Sequence, residues 1–226
     1  MSGRRLREII GAFSSVGLTS LTEKGKAAED KSTPRKLRLA FEKLGPSFVK
    51  IGQILSTRSD IFPEVYVREL SKLQSNVLPL PTELVMEAIE AELTGPISAY
   101  FSEIRPEPLA SGSVAQTHRA RLLNGKDVII KIQRPNLPEI IEEDLTLLIR
   151  LSRRIPKAFI PMVELPEVLQ QIKESLTCEI NFRNEAQAMI TFAELNQSSK
   201  CIASPEVYGE FTTPRLIVED YVSGIL

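Results

Sequence analysis

The sequence of 226 residues predicts an α+β fold, and three observations carry that prediction. Apolar residues recur at three- and four-residue steps through roughly the first hundred positions, which hold no strand-like run. Period-two alternation then sets in from Gln116 to Leu123, Asn124-Gly125 follows, and Asp127–Gln133 is an apolar run of strand length. Helical periodicity returns over 139–154 and 165–196, before two strand-like runs at 206–208 and 215–222. The expected organisation is a variable segment over 1–34, a helical extension over 35–104 and a sheet-bearing domain over 105–226.

Bulk properties bound the function. A hydrophobic content of 42% is enough for a core, and a net charge of −1 gives no field that would gather nucleic acid, so no nucleic-acid partner is expected. Met1 to Thr19 carries Arg4, Arg5 and Arg7 beside Leu6, Ile9, Ile10, Phe13, Val16 and Leu18, with Glu8 its only acid. That pattern fits a basic amphipathic helix on an anionic membrane surface, a helix packed on the next domain, or a frayed terminus. No secretory signal pattern is present, and no apolar run reaches the length of a membrane span. A cytoplasmic chain, with a peripheral membrane contact as its second candidate, is expected. Cys178 and Cys201 read as reduced thiols, not a disulfide framework, and no cluster has metal-ligand spacing.

Each element has a local reason. Ser20–Pro34 reads as a solvated linker or loose helix. Leu37, Leu39, Ala40, Phe41 and Leu44 form a short amphipathic helix that ends at Gly45. Pro46 suits the first turn of the next helix, where its missing N–H costs nothing. Phe48, Ile51, Ile54 and Leu55 then share one face, while Lys50 and Gln53 meet three residues apart. Gly52 costs about 1 kcal/mol against alanine inside a helix, so a close neighbour or a need for slack is expected there. A surface helix with solvated Lys50 and Gln53 is the competing reading.

Pro63 restarts a helix with Val65, Tyr66, Leu70 and Leu73, and Leu78-Pro79-Leu80-Pro81 breaks it. Thr82 is the expected N-cap of a helix closed by Thr94-Gly95-Pro96. Strand character is expected from Pro108, with a type I′ turn at Asn124-Gly125. The apolar run of Asp127–Gln133 suggests burial on both faces.

Lys50-Ile51-Gly52-Gln53, followed by Leu55-Ser56-Thr57-Arg58-Ser59-Asp60 and Pro63, resembles the signature of the UbiB family of atypical protein-kinase-like proteins. Members are linked to ubiquinone and other prenyl-lipid metabolism, and the similarity runs from about Phe41 to the C-terminus. It implies a helical N-terminal extension on a protein-kinase-like small lobe of antiparallel sheet plus helices, with ATP as ligand. Leu109 to Gln116 is similar to the alanine-rich loop with which the family replaces the kinase glycine loop. That resemblance assigns Ala110, Ser111, Gly112, Ser113, Val114 and Ala115 to the phosphates. Ser111 and Gly112 stand where the family often has alanines.

Lys131 matches the third-strand lysine that contacts the α- and β-phosphates. A buried ammonium needs a carboxylate, and Glu179 and Glu185 are the candidates. On one helix, six residues apart, they would point about 120° from each other. Glu185 is favoured for Lys131, and Glu179 would answer Lys50. Asn181 stands where the family has an aspartate. Gln53 completes the expected catalytic set. Backbone groups from Asp220 to Val222 would bind adenine, in the last small-lobe strand and hinge. His118 reads as structural.

Phosphoryl transfer also needs a base and Mg²⁺ ligands, which kinases take from a His-x-Asp loop and an Asp-Phe-Gly motif. Neither motif occurs in this sequence. The expectation is therefore an N-terminal half with the large lobe absent, not catalytically competent alone. A parent kinase or ATPase would bind ATP and support quinone or prenyl-lipid biosynthesis. The alternative is a docking or regulatory module for a protein partner, a membrane surface or a prenyl lipid. A homodimer through the helical extension is a further candidate.

Overall fold

The structure, a computed structural model, describes residues 3–16, 32–60, 63–73, 78–154, 164–199 and 201–224. Most of the 20–34 linker lies outside the described residues, although the helix after it already begins at Ser32. Two compact units form, one from residues 1–75 with 136–176, the other from 76–135 with 177–226. They interleave along the chain and so differ from the division at residue 104.

The first unit is helical. Its elements are α1 (Gly3–Val16), α2 (Ser32–Leu44), α3 (Pro46–Leu55), α4 (Glu64–Leu70), α6 (Leu137–Ser152) and α7 (Leu165–Glu179) through Leu176. α1 buries Ile9, Ala12 and Val16, and Phe13 packs edge-on against Phe41 and beside Phe48. The apolar stripe of the N-terminal segment is thus used in packing within the unit. Arg5 reaches from α1 to Asp144 of α6, Nε to Oδ1 at 2.6 Å and Nη2 to Oδ2 at 2.7 Å. No helix among the described residues is long and apolar enough to cross a membrane.

α3 starts as its sequence dictates, with Gly45 at φ 96 and Pro46 in the first turn. Phe48, Ile51 and Leu55 are buried, as is Gly52. The expected close neighbour of Gly52 exists. A Cβ there would lie 2.2 Å from Leu73 Cδ1 and 2.6 Å from Phe41 Cδ2. Gly52→Ala is therefore expected to destabilise the chain by about 1–3 kcal/mol, because overpacking outweighs the gain in helix propensity. A lowered urea midpoint checks this, and a raised one would show that the neighbours yield freely.

The second unit carries an antiparallel sheet in the order β1 (Phe101–Ser111), β2 (Ala115–Leu122), β3 (Asp127–Gln133) and β4 (Leu216–Asp220). α5 (Thr82–Glu92) covers one face, where Val85 and Ile89 meet Val128, Ile130, Ile132, Leu216 and Val218. α8 (Phe182–Leu195) lies on the other, where Phe182 and Ala186 meet Ala115 and Ile217.

Several local expectations are corrected here. β1 begins at Phe101, earlier than expected, and accommodates Pro106 and Pro108 because it is an edge strand with irregular register. Only Gly125 of the hairpin loop has positive φ, so the turn is not type I′. A Leu122–Gly125 turn closes with Gly125 N–H to Leu122 O, and Leu122 N–H bonds Lys126 O, the pattern of a three-residue loop with a bulge. Pro81, not Thr82, is the N-cap of α5, without a side-chain cap. β3 buries only one face fully, since Ile129 and Lys131 are partly exposed. Around 206–208 there is one isolated bridge, Val207 to Glu219, and no strand. The helical run over 165–196 breaks at Ile180-Asn181. Cys178 and Cys201 are exposed free thiols, as expected.

Candidate functional site

Alternation along β3 sends Val128, Ile130 and Ile132 to the α5 core and Ile129 and Lys131 to the α8 face. There Lys131 Nζ donates to both Glu185 oxygens at 2.7 Å. It also lies 4.9 Å from the centroid of the Phe182 ring, a cation–π contact that supplements the carboxylate. Of the two candidate acids, Glu185 is the one that pairs with Lys131.

Glu179 and Glu185 do not share a helix. Glu179 ends α7, and Glu185 lies in the first turn of α8. Asn181 is the N-cap between them, its Oδ1 accepting from Arg183 N–H at 3.1 Å. That is what an asparagine does well at a helix start, and it needs no negative charge. Gln133 Nε2 donates to Ile180 O at 2.6 Å and ties this break to β3.

The 110–115 loop is a tight turn between β1 and β2. Ala110 pairs with Thr117, Ser111 pairs with Gln116, and Gly112 N–H donates to Ala115 O at 2.9 Å. Ser113 is buried. Its N–H and that of Val114 make no hydrogen bond among the described residues.

Arg134 straps this turn down. Its Nε donates to Gly112 O at 2.8 Å, and its Nη2 donates to Ser111 Oγ and Leu78 O. Arg134 N–H also donates to Val114 O. Burial lowers its guanidinium from the usual arginine range.

A buried polar chain continues from the strap. Gln116 Oε1 accepts from Leu80 N–H at 2.7 Å and from Ser111 Oγ at 3.3 Å. His118 Nδ1 donates to Arg105 O at 2.8 Å, which leaves Nε2 to accept from Gln116 Nε2 at 2.9 Å. Both ring nitrogens are engaged, so His118 is structural, as its sequence context implied. Arg134 and Gln116 were not legible as site residues. Their only signal is position: Arg134 follows the Lys131 strand, and Gln116 follows the loop.

The end of β4 is also committed in part. Asp220 N–H donates to Glu206 O and Tyr221 N–H to Asp127 O. The Asp220 carboxyl accepts from Tyr208 Oη at 2.8 Å and faces Lys126 Nζ at 3.0 Å. Burial works against its charge, yet Lys126 and Tyr208 hold it below the usual carboxylate range. Val222 is 66% exposed and makes no hydrogen bond among the described residues. Of the expected adenine-binding groups, the Val222 backbone is the part left open.

Lys50 and Gln53 lie on α3 of the helical unit, where Gln53 Nε2 donates to Leu73 O at 3.2 Å. Among the described residues no group of three or more His, Cys, Asp or Glu side chains could hold a metal ion.

Comparisons with known proteins show which proteins this chain is similar to. A Clostridium pasteurianum protein described as an uncharacterized protein in the hydrogenase 1 5′ region is 36% identical over 222 residues, covering 98% of this chain and 42% of the relative. The solved complex of Rv3197 with erythromycin, from Mycobacterium tuberculosis, is similar at a TM-score of 0.56 and 26% identity, covering 77% of this chain and 44% of that one. The chain thus spans less than half the length of both. The ABC1 atypical kinase-like domain matches residues 72–226. The chain belongs to the ABC1 atypical kinase-like family, the group that the UbiB resemblance of its Lys50–Gln53 stretch and Lys131 strand indicates.

Proposed function

We propose that the sheet-bearing unit binds ATP, with the phosphates at the 110–115 turn and Lys131 and the adenine at the end of β4. The observation that carries this reading is the bidentate Lys131–Glu185 pair on the α8 face of β3. It is the arrangement with which kinases hold the phosphate-binding lysine ready. The amides of Ser113 and Val114, unbonded among the described residues in a turn strapped by Arg134, are donors of the kind that cradle phosphate oxygens. By the resemblance, Lys50, Gln53 and Glu179 belong to the catalytic set of the family. Mg²⁺ would accompany the nucleotide, as the resemblance implies. The process served is quinone or prenyl-lipid biosynthesis, again by the resemblance.

Titration of the chain with Mg-ATP, alone and as Lys131→Met, tests the reading. Wild-type binding is expected to weaken at least about tenfold in the variant, the loss of one charge-assisted contact in a half-exposed site. Equal affinity of both proteins would overturn it.

A docking or regulatory module is the second reading, favoured by Phe192 and Leu195, which stand exposed toward the end of α8. Partner binding unaffected by Lys131→Met, in a chain without nucleotide affinity, would select it.

A further inference from the structure

Glu219 takes no part in the site as described so far. It follows Ile217 by two residues on β4, so the two share a face. Ile217 is buried against Ala115, Phe182 and Ala186, which fixes that face as the α8 side. Register then places Glu219 beside the reactive pair. Lys131 pairs with Ile217 and Ile129 with Glu219, one step nearer the adenine end.

Its carboxyl feels the charges of both Glu185 and Lys131. Lys131, however, is already held by both oxygens of Glu185. No hydrogen bond or ion pair reaches the Glu219 carboxyl among the described residues. The neighbouring acid is the contrast, since Asp220 is answered by Tyr208 and Lys126. A partly buried acceptor without a donor carries a desolvation cost that a donor on a ligand would offset.

We propose that Glu219 selects the nucleotide base, its carboxylate accepting a hydrogen bond from an exocyclic amino group. The inference rests on the nucleotide-binding reading above and deepens it. Adenine presents a 6-amino donor. Hypoxanthine replaces that group with a 6-oxo group, which can only accept and would face the carboxylate lone pairs, and its nearest donor moves to N1–H. A site built to accept from an N–H discriminates against an analogue that lacks it. Burial first, and then the Glu185 charge, raise the Glu219 carboxyl above the usual range, with Lys131 opposing. The comparison is therefore made at about pH 8, on the alkaline side of the usual carboxylate range.

The chain is titrated with the magnesium salts of ATP and of inosine triphosphate. ATP is expected to bind at least about tenfold more tightly, a charge-assisted hydrogen bond in a half-exposed site. In Glu219→Gln the amide can accept from a 6-amino group or donate to a 6-oxo group, so the two affinities are expected to converge within about threefold, mainly because inosine triphosphate binds better. A purely structural role for Glu219 would move both affinities together. ATP binding that is intact but shows no preference over inosine triphosphate, or the same preference in Glu219→Gln, overturns the role of Glu219 and leaves the nucleotide site standing. Failure of the wild-type chain to bind either nucleotide overturns both readings.

Discussion

Replacing Arg5 with methionine is expected to lower the stability of the helical unit by about 3–5 kcal/mol, because it strands a buried carboxylate. Asp144 is 1% exposed, and its two oxygens accept from Arg5 Nε and Nη2. The same guanidinium donates to Leu44 O at 2.8 Å and stands 5.8 Å from the Phe48 ring centroid. One side chain thus links α1, α6, the end of α2 and the motif helix α3. Its pKa is raised, with the Asp144 hydrogen bond as the largest cause and burial opposing, so the charge persists at any working pH. Urea unfolding followed by circular dichroism reads the effect. The double variant Arg5→Met with Asp144→Leu is expected to recover much of the loss, since a paired buried charge can often be replaced by apolar residues. A loss below about 1 kcal/mol for Arg5→Met alone would mean that the pair contributes no more than a surface ion pair.

Truncating Phe48 to alanine is expected to cost a similar amount, about 3–5 kcal/mol, through lost burial and the cavity left behind. Phe48 is 0% exposed and forms a cluster with Phe41, at 5.8 Å between ring centroids, and Phe13, at 6.0 Å. Phe48→Leu is expected to keep more than half of the stability, which separates volume from specific ring geometry. Thermal unfolding of the two variants checks both statements, and a Phe48→Ala chain as stable as wild type would refute them. Phe48 precedes Lys50 by two residues on α3, so the cluster also sets the position of Lys50 and Gln53.

Helices α2, α3 and α5 and the β2–β3 hairpin were legible because a single periodicity runs through each. Lys131 was legible through the resemblance of its strand to the third strand of a kinase small lobe. Glu179 and Glu185 were read on one helix because apolar spacing runs on through Ile180 and Phe182. Asn181, a residue type that caps helices, was the available signal for the break. Asn124-Gly125 marked the turn correctly but not its type. The Asn124 side chain accepts from Lys126 N–H, and Leu123 N–H reaches Tyr100 O on the β1 side. Local propensity therefore yielded to neighbouring strands.

The sequence by itself determined the α+β class, the family and the strand that carries Lys131, because periodicity and motif spacing are properties of adjacent residues. Only the tertiary structure decided that Glu185 answers Lys131, that Arg134 holds the 110–115 turn, that Gly52 is required by Leu73 and Phe41, and that Glu219 stands unanswered beside the pair. Each of these depends on contacts between residues more than ten positions apart, or on which of two strand faces a side chain takes. Hydrogen-bond partners and desolvation are fixed by that packing, and chain-local patterns carry no record of it.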